Sequence, residues 1–238
     1  MPDSVAGLRI LVVGSRSGIG AATKQLLDSR GACVFGADLT APGEHYCEIT
    51  KPGDVASRVA AAANTLGGLD GVAVTVGGGG YAPLESTDTR VWQDILALNL
   101  VGPATLITEA VPWLTQSEWP AVVTVASAAG LRSSPEHSAY GSAKAGLIHW
   151  TKIAARELAH RRIRVNCVSP GPIDTPLLHA SRPAGRTAET WPEEIGRNTA
   201  LGRIGAPGEV AEAIVFLVSR AAAFITGAVL PVDGGETA

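Results

Sequence analysis

The sequence predicts an α/β fold: a single-domain, Rossmann-type doubly wound parallel sheet with helices on both faces. Two observations carry this expectation. Short, β-branched apolar runs alternate with longer Ala-rich segments of helical period, and continuous apolar strands are what a sheet covered on both faces requires. The 238 residues suit one large α/β domain better than two small ones, and the 46% that are hydrophobic can fill a sizeable core. No internal repeat or linker divides the chain, so residues 1–238 are read as one unit.

Each element follows from local pattern. LRILVV (8–13) is a strand that stops at Gly14, and AATKQLLDSR (21–30) follows as a helix ended by Gly31. ACVFGAD (32–38) is the next strand-length run and the short HYCEI (45–49) another, ahead of a helix over DVASRVAAAANTL (54–66). VAVTV (72–76) is a further strand. One helix is expected over about 88–115, then the strand AVVTVAS (121–127) and a long helix over about 138–160. IRVNCVS (163–169), a helix over 207–220 and the short strand AVLPV (228–232) complete the pattern. The least regular stretch, 172–200, mixes Pro, Gly, Arg and Thr and is expected to form a substrate lid.

Composition narrows the classes of function. A formal net charge of -3 offers no basic field for nucleic acid or an anionic membrane. The densest basic group, Arg161, Arg162 and Arg164, is accounted for by a helix end. Three cysteines, Cys33, Cys47 and Cys167, lack paired spacing, which argues against a disulfide framework and fits a reducing cytoplasm. No ligand spacing suggests a metal site. The N-terminus lacks the basic flank and cleavage site of a signal peptide, and no apolar stretch is read as long enough to span a bilayer.

VVGSRSGIGAAT (12–23) follows the first strand and opens the first helix. Gly14, Gly18 and Gly20 permit a tight turn and the close approach of a pyrophosphate, which the helix N-terminus stabilises. Asp38 ends the second strand, where a carboxylate accepts from ribose hydroxyls and repels the 2′-phosphate of NADP. Arg16 pulls the other way by offering a guanidinium, whereas Leu39 stands where a basic residue would assist NADP. NAD is therefore expected over NADP.

SAYGSAKAGLIHW (138–150) puts Tyr140 and Lys144 four residues apart on one helix face. A phenol ionises near pH ~10, and a neighbouring ammonium lowers that value towards the range of a useful base. Ser127 ends the strand AVVTVAS, where a parallel strand delivers its side chain to the ligand edge and a hydroxyl can hold a substrate oxygen. Asn99, in LALNLVG, can hold a water or a carbonyl of a proton relay.

Taken in order, these motifs resemble the classical type of the short-chain dehydrogenase/reductase (SDR) family over essentially the whole chain. GSRSGIG resembles that family's TGxxxGxG motif, with Val13 in place of the usual Thr, and the resemblance places Gly14, Ser15, Arg16, Ser17, Gly18, Ile19 and Gly20 at the cofactor. Ser127, Tyr140 and Lys144 match the catalytic triad, and Asn99 its fourth member. NCVSPGPIDTP (166–176) resembles the segment after the sixth strand: Pro170 and Gly171 would shape the turn under the nicotinamide, and Ile173 and Thr175 reach its carboxamide. The closing ITGAVLPVDGG (225–235) resembles one that packs at a tetramer interface in many members. The resemblance implies hydride transfer between nicotinamide and the carbon of a secondary alcohol or ketone. In it Tyr140 exchanges the proton, Ser127 orients the oxygen and Lys144 also binds the nicotinamide ribose. A homotetramer is implied too. A non-catalytic nucleotide sensor or scaffold, and a lyase or dehalogenase, are further functions the same scaffold accommodates.

One departure stands out. Where the family carries NNAG after its fourth strand, this chain has Val74, Thr75, Val76 and Gly77, then three more glycines in TVGGGGYAPL (75–84). Either Thr75 replaces one polar contact and the glycines accommodate a close backbone, or a flexible Gly78–Gly80 segment tunes cofactor affinity or widens the entrance. Gly77 is expected beside the cofactor and Tyr81 at the substrate mouth. The remaining pocket candidates are Ala128, Ala129, His137, Pro172, Leu177, Leu178 and Trp191, a mostly apolar set that suits a small or medium alcohol or ketone. His137 is read as an exposed residue at the helix start.

Overall fold

The computed structural model describes residues 5–79, 82–182 and 185–238. Its strands are β1 (Arg9–Val13), β2 (Cys33–Ala37), β3 (Gly71–Val74), β4 (Ala121–Val125), β5 (Arg164–Pro170) and β6 (Val229–Val232). All pair in parallel, in the order β2-β1-β3-β4-β5-β6. The helices are α1 (Gly18–Ser29), α2 (Pro52–Leu66), α3 (Thr89–Leu96), α4 (Gly102–Leu114), α5 (Ser138–Leu158), α6 (Pro176–Ala180), α7 (Trp191–Gly196) and α8 (Pro207–Val218). This is the expected doubly wound, Rossmann-type sheet.

The strands read as unbroken apolar runs because each of their faces has its own core. Leu11 and Val13 of β1, Val72 and Val74 of β3 and Val122 of β4 pack with α2, α4 and α5 on one side. The alternating residues Ile10, Val12, Ala73, Val123 and Val125 pack with α1 and α8 on the other. Side chains along a strand point alternately up and down, so one apolar run feeds two layers.

Four expectations are corrected. HYCEI is not a strand. Gly43–His45 forms a 3₁₀ turn, and only Tyr46 makes an isolated bridge, to Asp38. Cys47 and Ile49 are buried, and Pro52 already opens α2, so the chain has room for one rung at the sheet edge. The single helix over 88–115 is interrupted: Ala97–Val101 forms a π turn between α3 and α4. The continuous helical run Thr89–Leu114, 26 residues, is long and apolar enough to cross a membrane by length and composition. It nevertheless lies against the sheet, with Leu106, Ile107, Ala110 and Leu114 buried in the α2 layer. Arg164 belongs to a strand rather than a helix end, although its guanidinium donates to Leu217 O (2.8 Å) and Ser219 O (3.0 Å) at the C-terminus of α8.

The amino ends of the central strands are tied by one carboxylate. Asp70, just before β3, accepts from Arg9 N (2.9 Å), Arg9 Nε (2.9 Å), Arg9 Nη2 (2.8 Å) and Ser117 Oγ (2.7 Å). Burial would push this carboxyl up, but the bonds from Arg9 and Ser117 outweigh it and hold the group down at about 2. A carboxyl depressed on folding stabilises the protein above its unfolded value of 3.8, and that contribution is lost as pH falls from there through about 2. Asp70→Asn should therefore cost about 1–3 kcal/mol at pH 7. In urea unfolding followed from pH 7 downward, the gap to wild type should close between about pH 4 and 2; a gap independent of pH would show that the charge is immaterial.

Candidate active site

The carboxyl ends of the strands open where β1 is flanked by β2 on one side and β3 on the other. In a doubly wound sheet this switch in strand order leaves a crevice suited to a ligand. The turn from β1 into α1 closes tightly there. Gly14 has φ +88° and Gly18 φ +49°, and a Cβ on Gly20 would lie 1.9 Å from Gly14 O and 2.4 Å from Thr75 Oγ1. Ser15 donates to Ala37 O (3.4 Å), and Ser17 occupies the N-cap position of α1, whose first turn carries no acidic residue. The result is a glycine-walled cradle at the positive end of a helix, and it fits a pyrophosphate. Asp38 stands at its rim, accepting from Arg16 N (3.1 Å), Thr40 N (2.9 Å) and Thr40 Oγ1 (2.8 Å).

Four further side chains meet past the ends of β3 and β4. Asn99 sits fully buried in the π turn; such turns reorient a helix locally and recur at functional sites. Its Nδ2 donates to Gly78 O (2.7 Å) and Ile95 O (2.9 Å), while its Oδ1 accepts from Gly78 N (3.1 Å). Ser127 is half-buried beyond β4, its Oγ accepting from Ala129 N at 3.2 Å. Lys144 is 2% exposed, donates to Val125 O (2.9 Å) and holds its Nζ 5.8 Å from the centre of the Tyr140 ring. Burial pushes its ammonium down to about 8, with Cys167 drawing it back slightly.

The glycine run threads between these groups. Thr75 Oγ1 donates to Val13 O (2.7 Å) and lies 3.3 Å from Gly14 O, tying the exit of β3 to the cradle. A Cβ on Gly77 would sit 2.8 Å from Lys144 Nζ and 3.1 Å from Asn99 Oδ1. One on Gly79 would sit 2.7 Å from Tyr140 Cδ2. Gly77 and Gly79 therefore answer a need for close backbone approach. Gly80 and Tyr81 lie outside the described residues.

A cavity of about 850 Å³ spans this edge. Ile19, Thr75, Gly77, Pro170, Gly171, Ile173 and Thr175 line it together with Ser127, Tyr140 and Lys144, and so do Ala128, Ala129, His137, Pro172, Leu177, Leu178 and Trp191. Gly14, Ser15, Arg16, Ser17, Gly18, Gly20 and Asp38 are not part of its wall; they form the cradle and its rim at the β1–β2 side. Two expectations change. His137 is half-buried rather than exposed, its ring 5.8 Å from that of Tyr140. Burial is the main cause that lowers its pKa. The wall is also far from apolar, because Arg132, Arg186, Glu194 and Glu236 line it. Arg132 pairs with Glu236, and Arg186 with Glu194 at 2.6 Å. Arg132 and Glu236 come from loops far apart in the chain, whereas Arg186 and Glu194 share the 172–200 segment, Glu194 on α7.

Residues 13–237 match the family model described as Enoyl-(Acyl carrier protein) reductase. The chain is 35% identical to cis-4-hydroxycyclohexanecarboxylate dehydrogenase of Sinomonas cyclohexanicum over the whole of both. It is 34% identical to the inactive 2-(S)-hydroxypropyl-CoM dehydrogenase 2 of Xanthobacter autotrophicus, across 90% of this chain and 94% of that one. The solved structure of the Thermoplasma acidophilum aldohexose dehydrogenase, in ligand-free form, superposes with a TM-score of 0.90 at 31% identity, covering 99% of this chain and 96% of that one. The chain belongs to the short-chain dehydrogenase/reductase family, as an enzyme of the dehydrogenase/reductase class that works with a nicotinamide cofactor.

Gly79→Ala should push the Tyr140 ring aside and lower kcat by about tenfold or more, since small misplacements of a reacting group are costly. Fluorescence titration with the reduced cofactor should show its binding retained. An unchanged kcat would mean that the ring position does not matter to turnover.

Proposed function

We propose that the protein interconverts a secondary alcohol and a ketone by hydride transfer, with NAD(H) favoured over NADP(H). The observation that carries this reading is the convergence of Ser127, Tyr140 and Lys144 on one cavity beside the glycine cradle, with Asn99 buried behind its wall and clamping Gly78. Gly14, Ser15, Ser17, Gly18, Ile19 and Gly20 would hold the pyrophosphate, and Asp38 the adenosine ribose, with Arg16 at the rim. Lys144, Tyr140, Gly77, Pro170, Gly171, Ile173 and Thr175 would hold the nicotinamide half. When bound, the nicotinamide supplies the hydride acceptor or donor.

The chain's own residues handle the proton and the geometry. Ser127 donates to the substrate oxygen and fixes its direction. Tyr140 takes the hydroxyl proton in oxidation and returns it in reduction. Lys144, charged below about pH 8, favours the phenolate. Asn99, clamped to Gly78, keeps the backbone beside Lys144 in place for a water-linked proton path. The 172–200 segment, with α6 and α7, acts as the lid over the cavity, and the chain works as one domain. The unpaired cysteines support a place in the cytoplasm, and the family resemblance supports a homotetramer. The exposed Val101 and Ile153 beside α4 and α5, and Phe224 before the closing segment, offer it apolar surface.

A non-catalytic nucleotide-binding role is the second reading, favoured by the inactivity of one relative; the complete tetrad speaks against it. Two measurements test the proposal. Tyr140→Phe should abolish turnover of a panel of secondary alcohols and leave cofactor titrations nearly unchanged; persistent activity would remove Tyr140 from its role. Asp38→Ala should narrow the ratio of NADH to NADPH affinity, and an unmoved ratio would take Asp38 out of the ribose site.

A further inference from the structure

The two arginines in the cavity wall belong to no step above. Arg132 follows the short turn after Ser127, its N–H bonded to Ala128 O at 3.0 Å. Its partner Glu236 arrives from the last turn of the chain, which Asp233 fixes by accepting from Gly235 N (3.0 Å) and Thr237 N (3.1 Å). Arg186 lies in the 172–200 segment and pairs with Glu194 of α7. In both pairs the arginine is the more exposed member: 39% against 9% for Arg132 and Glu236, and 54% against 29% for Arg186 and Glu194.

That asymmetry matters. A guanidinium has five donors, and one carboxylate engages at most two of them in parallel. Beyond Glu236, Arg132 has only Ser133 O as an acceptor among the described residues, at a long 3.4 Å. Both line the cavity that Tyr140 also faces, but Glu236 is the more covered of the two, so Arg132 presents more of its surface, with spare donors, to that space. His137 links the two: its ring neighbours Tyr140, and Arg132 is close enough to add to the lowering of its pKa. Ion pairs with arginines this exposed add little to stability, which suits groups kept for recognition.

Resting on the alcohol–ketone reading of the same site, we propose that the substrate carries an anionic group, a carboxylate, received by Arg132 with Arg186 assisting. Arg132 is then a specificity-determining residue, and Glu236 a positioning residue that aims its guanidinium. A neutral polyol would also find donors here, but it lacks the charge and the planar pair of acceptor oxygens that a carboxylate sets against the fork of an arginine.

The test compares 4-hydroxycyclohexanecarboxylate with its methyl ester and its amide, which share ring and reacting carbon. Wild type should prefer the acid in kcat/KM, chiefly through KM. Arg132→Met should reduce that preference by about 10- to 100-fold, the scale of a lost charged hydrogen bond. Glu236→Gln, which removes the competing charge but keeps the shape, should maintain or raise it. Equal use of acid and ester by wild type, or the same loss in both variants, would overturn the proposal; the latter is what a merely structural ion pair would give. Calorimetric titration of the cofactor-loaded protein with cyclohexanecarboxylate and cyclohexanecarboxamide judges the site independently of turnover. Preference for the carboxylate that falls in Arg132→Met supports the site even if no alcohol is oxidised, an outcome that would sink the alcohol–ketone reading alone. Equal binding of the two would sink the anion site alone.

Discussion

Everything at the ligand edge depends on how closely the ends of β1 and β3 are held together past their last paired residues. Val13 O accepts from both Thr75 N (2.9 Å) and Thr75 Oγ1 (2.7 Å), so one threonine makes two bonds to the same carbonyl. On the other side of β1, Gly14 N and Ser15 N both donate to Ala37 O, at 2.8 and 3.2 Å. From these anchors the chain has only Gly14 to Ser17 in which to turn into α1, and only glycine at 14 and 20 leaves space for it. The cradle is thus built by strand geometry first and by glycine second.

The same anchor sets the course of the next segment. From Thr75 the backbone has to pass Lys144, Asn99 and Tyr140 within a few residues, and the close contacts at Gly77 and Gly79 follow. Asn99 then bonds both polar groups of Gly78, replacing the ladder partners the chain loses on leaving the sheet. It can do so because the π turn breaks the regular advance of the helix between α3 and α4. Loop, bulge and asparagine depend on one another.

This interdependence explains what the sequence reveals and what it conceals. The parallel sheet is legible because two-sided burial leaves an unbroken apolar run in every strand. The Tyr140–Lys144 spacing and the Gly14–Gly20 turn are legible because they are local and each has one simple geometric meaning. HYCEI misleads because its buried Cys47 and Ile49 mimic strand alternation, although the proline after them allows no ladder. The π turn leaves no compositional trace, since ALNLV is ordinary helix sequence. Arg132 and Glu236 are 104 residues apart and meet only because β4 and β6 end at the same edge. Such a pairing is a property of topology, and no window along the chain contains it.

Lys144 shows the cost that such a site imposes on its fold. Its ammonium is buried and, among the described residues, has one carbonyl acceptor, Val125 O. Folding lowers its pKa from 10.5 to about 8 because burial disfavours the charged form. The unfolded chain therefore binds more protons between those two values, and stability rises with pH across that window. Below about 8 the penalty is present in full, on the order of 3 kcal/mol. An apolar side chain in its place would avoid that term, whereas an amide at Asp70 would give up a net stabilising charge, because the carboxylate accepts four hydrogen bonds and, among the described residues, the ammonium donates one. The two buried charges thus act in opposite directions: at the amino edge a satisfied charge stabilises the sheet, while at the carboxyl edge an undersatisfied one weakens the fold and stays available to a ligand.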